Sequence, residues 1–111
     1  MAGAEAKIRG ARAFLHEAMA RVEAEATAGG EASLEGRALT RIAASHAAAE
    51  AAAAVDLVYN AGGASVIYAR SPLQRHFRDI HVATQHAMVG TMAATLAGRV
   101  LLGVESDTAT L

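Results

Sequence analysis

The chain has 111 residues, of which 53% are hydrophobic and 19% charged, with a net charge of −1 and no cysteine. That balance excludes a disordered chain, a disulfide framework and a thiolate nucleophile. No basic run is present to hold nucleic acid.

The length fits one small domain. The first residues carry no apolar signal core, and the most apolar stretch, 87 to 104, is interrupted by Gly90, Gly98, Arg99 and Gly103. The sequence therefore predicts a cytoplasmic protein with no membrane span.

Residues 3 to 28 place Ile8, Leu15, Met19, Val22 and Ala26 on one helical face, with Arg9, Arg12, Glu17, Arg21 and Glu25 opposite. Gly29 and Gly30 end this helix. Ser33 is the expected N-cap of a second helix over 34–60, in which Leu39, Ile42, His46, Ala53 and Leu57 share a face. His46, with Glu50 one turn on, reads as a satisfied core histidine. Gly62 and Gly63 stop the second helix, and Val66, Ile67 and Tyr68 form a short apolar bridge. Ser71-Pro72 starts a third helix over 72–89, and Met92, Leu96 and Val100 mark a fourth over 91–103. The polar tail SDTATL is expected to fray. No stretch alternates with period two, so the expected fold is an all-α, antiparallel up-down bundle. With four aromatics, Phe14, Tyr59, Tyr68 and Phe77, and an alanine-rich interior, its core is thin. At about 25 cal/mol per Å² of buried apolar surface such a domain is marginal, which calls for a second copy or a further domain over it.

The third helix concentrates the polar chemistry. Leu73, Phe77, Ile80, Thr84 and Met88 form an apolar stripe, flanked by Gln74, Arg78, His81 and Gln85 and then by Arg75, Asp79 and His86. Arg75 and Asp79 are spaced to pair. By itself this is the pattern of a solvated face with one ion pair. The alternative is a face turned to an anionic ligand or a subunit, which two arginines and two glutamines suit. His86 has the chemistry of a general acid or base. His81 and His86 are five apart, where joint ligation on a helix needs four, so no metal site is expected.

The run YNAGGASVIYARSPLQRHFRDIHVATQH resembles the C-terminal helical domain of the acyl-CoA dehydrogenase fold. Asn60-Ala61-Gly62-Gly63 stands where that superfamily has a Gln-x-x-Gly-Gly-like turn, and Pro72-Leu73-Gln74-Arg75 through Arg78-Asp79 where it opens the next helix. The catalytic glutamate that many dehydrogenases keep about eight residues later is absent, and the segment reads Gln85-His86-Ala87-Met88. The chain is thus more similar to the two-component, class D flavin-dependent monooxygenases. The resemblance implies a parent protein that takes reduced FAD or FMN from a flavin reductase and hydroxylates an organic substrate, often aromatic, with oxygen. It implies that His86 is the acid/base or peroxide-stabilising group. Asn60, Gly62, Gly63, Arg75 and Arg78 become candidates for holding flavin. The family's C-terminal helices build dimers or tetramers, so a homo-oligomer is expected. Family members also carry an N-terminal helical domain and a middle β domain. The chain is then expected to be one piece of such a protein, inactive alone. A dehydrogenase parent and a non-catalytic oligomerising module are the alternatives.

Overall fold

The computed structural model describes residues 1–111 and contains four α-helices and no strand. They are α1 (Ala2–Thr27), α2 (Leu34–Ala61), α3 (Pro72–Ala83) and α4 (Thr91–Leu101), with a 3-10 turn over Gly63–Ile67. The long α2 is the axis: α1, α3 and α4 each pack on it and not on one another. The radius of gyration is 16.6 Å, against about 13 Å for a compact domain of this length. The helices form an open bundle that does not close around its own core.

The contact between α1 and α2 is built from alanine. Ala4, Ala11 and Ala18 recur at seven-residue steps and are buried. Ile8 and Met19, two of the larger apolar residues expected on that face, are 42% and 51% exposed. Small side chains let two helix backbones approach closely, which leaves bulkier neighbours at the margins. Eleven residues of the chain are buried, eight of them alanine. A half-buried Lys7–Glu50 ion pair at 2.9 Å also ties α1 to α2. Between α1 and α3 an apolar groove of about 680 Å³ stays open over α2, walled by Ile8, Val55, Val58, Leu73 and Ile80.

The helix ends follow local chemistry. Gly29 takes φ +85°, the left-handed conformation that suits glycine after a helix. The Ser33 hydroxyl accepts the Gly36 N–H at 3.0 Å and caps α2. Glu25, on what the sequence presents as the solvent face of α1, reaches across the loop to Ser33. It accepts the Ser33 N–H at 2.7 Å and the Ser33 hydroxyl at 2.9 Å, and pairs with Arg21 at 3.3 Å. Those Ser33 bonds first, then Arg21, hold the Glu25 carboxyl below its ordinary value of 4.5. A group lowered in the folded state contributes stability above its unfolded pKa and loses it as pH falls through the folded one. Glu25→Gln should therefore lower the melting temperature at pH 7. The difference from wild type should shrink as pH drops below 4.5. Thermal melts of both proteins over pH 3 to 7 check this, and a gap that stays constant with pH would contradict it.

Two expectations about the C-terminal half are corrected. The third helix was expected over 72–89, continuing past His86, but α3 ends at Ala83 and residues 84–90 form turns. The Thr84 hydroxyl donates to the His81 carbonyl at 2.7 Å, and the Gln85 and His86 N–H groups bond to Val82 and Ala83, three residues back. Side-chain competition and a tightened last turn break the ladder there. The tail was expected to fray, yet the Arg41 guanidinium donates to the Thr110 carbonyl at 2.7 Å. Arg99 also holds Ser106 and the Glu105 carbonyl. Ser71-Pro72 does begin α3, although the Ser71 side chain makes no capping bond.

Candidate functional site

The glycine turn after α2 has structural reasons for both glycines. A Cβ on Gly62 would overlap Val66 Cγ1 and lie 3.3 Å from the Tyr59 carbonyl oxygen. Val66 is 4% exposed and stiff at Cβ, so it has no room to yield. Gly63 adopts φ +59°, and nothing stands within 4 Å of where its side chain would be. The turn therefore presents bare backbone outward, next to the exposed Asn60.

Along α3 the polar residues divide by role. Arg75 and Asp79 form the expected pair at 3.4 Å, with side chains 77% and 63% exposed. Such a surface pair contributes about 0–1 kcal/mol. Arg78 is exposed and makes no hydrogen bond or ion pair. His81 instead turns toward α2 while staying partly exposed: Nδ1 lies 2.7 Å from the Phe77 carbonyl and Nε2 3.3 Å from Asp56. Its ring lies tilted against that of Phe77, centroids 4.4 Å apart, and Phe77 likewise against Tyr59 at 4.5 Å. This Tyr59–Phe77–His81–Asp56 cluster pins α3 to α2. Asp56 escapes a reading of α3 alone because it sits on another helix.

His86 lies beyond the end of α3, in the turn of residues 84–90, and is exposed. Its Nδ1 is 3.2 Å from the Met88 nitrogen and accepts that N–H. In the neutral ring the proton therefore sits on Nε2, which faces away from this bond as a free donor. α3 is about 18 Å long at 1.5 Å per residue; Gly62 lies by its first turn, where a Cβ would stand 3.6 Å from Leu73 Cδ1, and His86 lies past its last residue. The structure thus gathers Asn60, Gly62, Gly63 and Arg75 toward one end of α3 and sets His86 past the other, with Arg78 between.

Beside the His86 turn a cavity of about 430 Å³ opens between α2 and α4, lined by Ile42, Ser45, His46, Gln85, Val89 and Thr91 among others. The buried Ser45 hydroxyl there has no hydrogen-bond partner. His46 is not the satisfied core histidine expected. It is exposed, its ring 6.0 Å from that of Phe14, and its expected neighbour Glu50 is bound to Lys7. Three residues near the site were not singled out from sequence: Arg41, Ser45 and Asp56.

The donor set fits a flavin in part. Asn60, Arg75 and Arg78 offer donors suited to phosphate and hydroxyl groups, the open face of Gly63 admits close approach, and His86 offers one donor for a ring edge. No group of three His, Asp or Glu side chains is arranged for a metal ion, and no helix is long and apolar enough to cross a membrane.

Known proteins share both sequence and fold with this bundle. The family model described as acyl-CoA dehydrogenase, C-terminal domain, matches residues 1–91. Indole-3-acetate monooxygenase of Pseudomonas putida is 36% identical over 103 residues, covering 93% of this chain and 26% of that protein. The Acinetobacter baumannii protein of the same name is 33% identical over 104 residues, covering 94% of this chain and 27% of its own length. The crystal structure of 3-HSA hydroxylase from Rhodococcus sp. RHA1 superposes with a TM-score of 0.90 at 27% identity, over 99% of this chain and 29% of that one. The chain spans about a quarter of the length of the curated relatives it matches. With four-fifths of its length inside the matching model, the chain belongs to the acyl-CoA dehydrogenase C-terminal domain family.

Proposed function

We propose that this chain is the C-terminal bundle of a flavin-dependent monooxygenase that hydroxylates an aromatic substrate. The observation that carries the reading is His86, held with Nε2 free, in the segment where dehydrogenases of the fold keep a catalytic glutamate. The names of the relatives support it: they are monooxygenases or hydroxylases, two of them for indole-3-acetate.

A reduced flavin, FAD or FMN, when bound supplies two electrons to molecular oxygen. Of the two atoms of oxygen, one enters the substrate and the other leaves as water, with the flavin ending oxidised. Within this chain, His86 Nε2–H donates a hydrogen bond, or a proton, to an oxygen atom set before it. The Met88 N–H keeps the ring in that tautomer. When flavin is bound, Arg75, the Asn60 amide and the backbone of Gly62 and Gly63 would hold phosphate or ribityl groups near the start of α3, with Arg78 midway along it. Because the length of α3, about 18 Å at 1.5 Å per residue, stands between the start of α3 and the turn of His86, the two groups serve opposite ends of one extended cofactor or two cofactors in an assembly. The reduced flavin comes from a separate reductase. The test supplies the full-length protein with reduced flavin, oxygen and an aromatic acid such as indole-3-acetate. Incorporation of one labelled oxygen atom into product supports the reading. Reduction of bound flavin by an acyl-CoA, with no oxygen incorporated, would replace it with the dehydrogenase alternative.

The same reading places a second copy of the bundle over the open faces. Val82, Met92 and Leu102 are 72%, 86% and 81% exposed, large apolar side chains that a second copy would cover. Light scattering on the purified chain should report a particle of at least two copies of the 11.3 kDa chain. A folded monomer would remove the self-association part of the proposal.

A further inference from the structure

We propose that Arg41 is a positioning residue for His86, acting through the main chain of Met88. The proposal rests on the reading of His86 given above, but its first test does not.

The turn that carries His86 has almost no anchor outside its own strand of chain. Its main-chain bonds run within the turn or to the adjoining ends of α3 and α4: Thr84 to Ile80, Gln85 to Val82, His86 to Ala83, and Val89 and Gly90 to His86. Its side-chain bonds, from Thr84, Gln85 and His86, are equally local. Since α3 and α4 touch α2 but not each other, the turn is a bridge between two separately seated helices. One hydrogen bond reaches it from α2, from Arg41 Nη1 to the Met88 carbonyl at 3.1 Å, across 47 residues. The N–H of that same Met88 is the group donated to His86 Nδ1. The two bonds act on the peptide groups either side of Met88 Cα, so holding the Met88 carbonyl fixes the residue whose N–H selects the His86 tautomer.

Arg41 can do this because its guanidinium is rigid and forked. While Nη1 holds Met88, Nη2 holds the Thr110 carbonyl at 2.7 Å. The next residue, Leu111, is half-buried and lines a small cavity together with Val22, Thr40, Arg41 and Ala44. Two carbonyls fixed at the spacing of the fork leave the guanidinium little freedom, whereas the point charge of a lysine would satisfy one and swing. The C-terminal tail is thus the far brace of the clamp.

Histidine-labelled ¹⁵N NMR on the 111-residue chain at a pH where the ring is neutral reads the tautomer directly. Wild type should show His86 as the Nε2–H form, with a wide separation between its two nitrogen shifts. In Arg41→Gln that separation should collapse toward tautomer averaging, while the His81 resonances, set by Phe77 and Asp56, stay in place. Arg41→Lys should fall between the two. A wild-type His86 that is not the Nε2–H form, or an Arg41→Gln spectrum with His86 unchanged, overturns the proposal. If circular dichroism shows both variants unfolded, Arg41 serves folding and not positioning, and the proposal is equally overturned. In the full-length enzyme, Arg41→Gln should lower the fraction of oxygen recovered in product several-fold. If His86→Ala leaves that fraction unchanged, the catalytic reading of His86 fails while the tautomer result stands by itself.

Discussion

His86→Ala in the full-length enzyme should lower substrate hydroxylation by about 10²- to 10⁴-fold, the usual contribution of one positioned proton donor. The substitution removes Nε2–H, the one nitrogen of the ring that no group in the chain engages. It leaves α3 intact, because His86 lies beyond its last residue and packs into no core. The melting temperature should therefore move by no more than a surface substitution does, within about ±0.5 kcal/mol of stability. His86→Gln, which keeps an N–H donor at similar reach, should retain part of the lost rate. Product formation and hydrogen peroxide release, measured together under reduced flavin and oxygen, separate the outcomes. A fall in product with a rise in peroxide identifies His86 as the group that directs oxygen to substrate. Unchanged product would remove His86 from the chemistry.

Gly62→Ala is expected to act on stability. The new methyl would overlap Val66 Cγ1, a buried β-branched side chain, while the Tyr59 carbonyl closes the other side at 3.3 Å. Overpacking of this kind destabilises by roughly 1–3 kcal/mol, a fall of about 5–15 °C in melting temperature for a domain of this size. Thermal melts of the 111-residue chain check it. The result also bears on how the glycine turn should be read. Gly62 and Gly63 carry backbone constraints of their own, close packing at one and positive φ at the other. Their presence is explained without a cofactor, so flavin affinity has to be tested through Asn60, Arg75 and Arg78, whose side chains the fold does not use in its core. A Gly62→Ala protein as stable as wild type would show that the 3-10 turn shifts freely, and would undo this account.

The site was legible in sequence to different depths. The motif around Pro72 to Asp79 and the glycine turn led to the family, and the four helices with their starts at Ser33 and Ser71-Pro72 were visible as local patterns. The polar stripe Gln74–Arg78–His81–Gln85 was visible too, but its members do different things. His81 turns onto Asp56 of α2, whereas Arg78 makes no such contact and the Gln85 side chain bonds only to the neighbouring Thr84. Helical spacing assigns residues to a stripe and cannot say which neighbour that stripe meets. The face of α1 illustrates the same point. Its periodicity is right, but the contact centres on Ala4, Ala11 and Ala18, because backbone approach is decided by what α2 presents opposite.

What the sequence by itself determined is what neighbouring residues decide among themselves. Ser33 with Gly36 opens α2, Gly29 and Gly62-Gly63 end helices, and the alanine-rich composition forces a thin, open bundle. What only the tertiary structure decided are the interactions that close over long separations. The Arg41 bonds to Met88 and Thr110 span 47 and 69 residues. They tie down the turn that follows α3 and turn a tail expected to fray into a brace. Capping and propensity act within about one helical turn, so they are written in adjacent residues. A guanidinium that finds two carbonyls from distant segments depends on how three helices are set around a fourth, which no local pattern records.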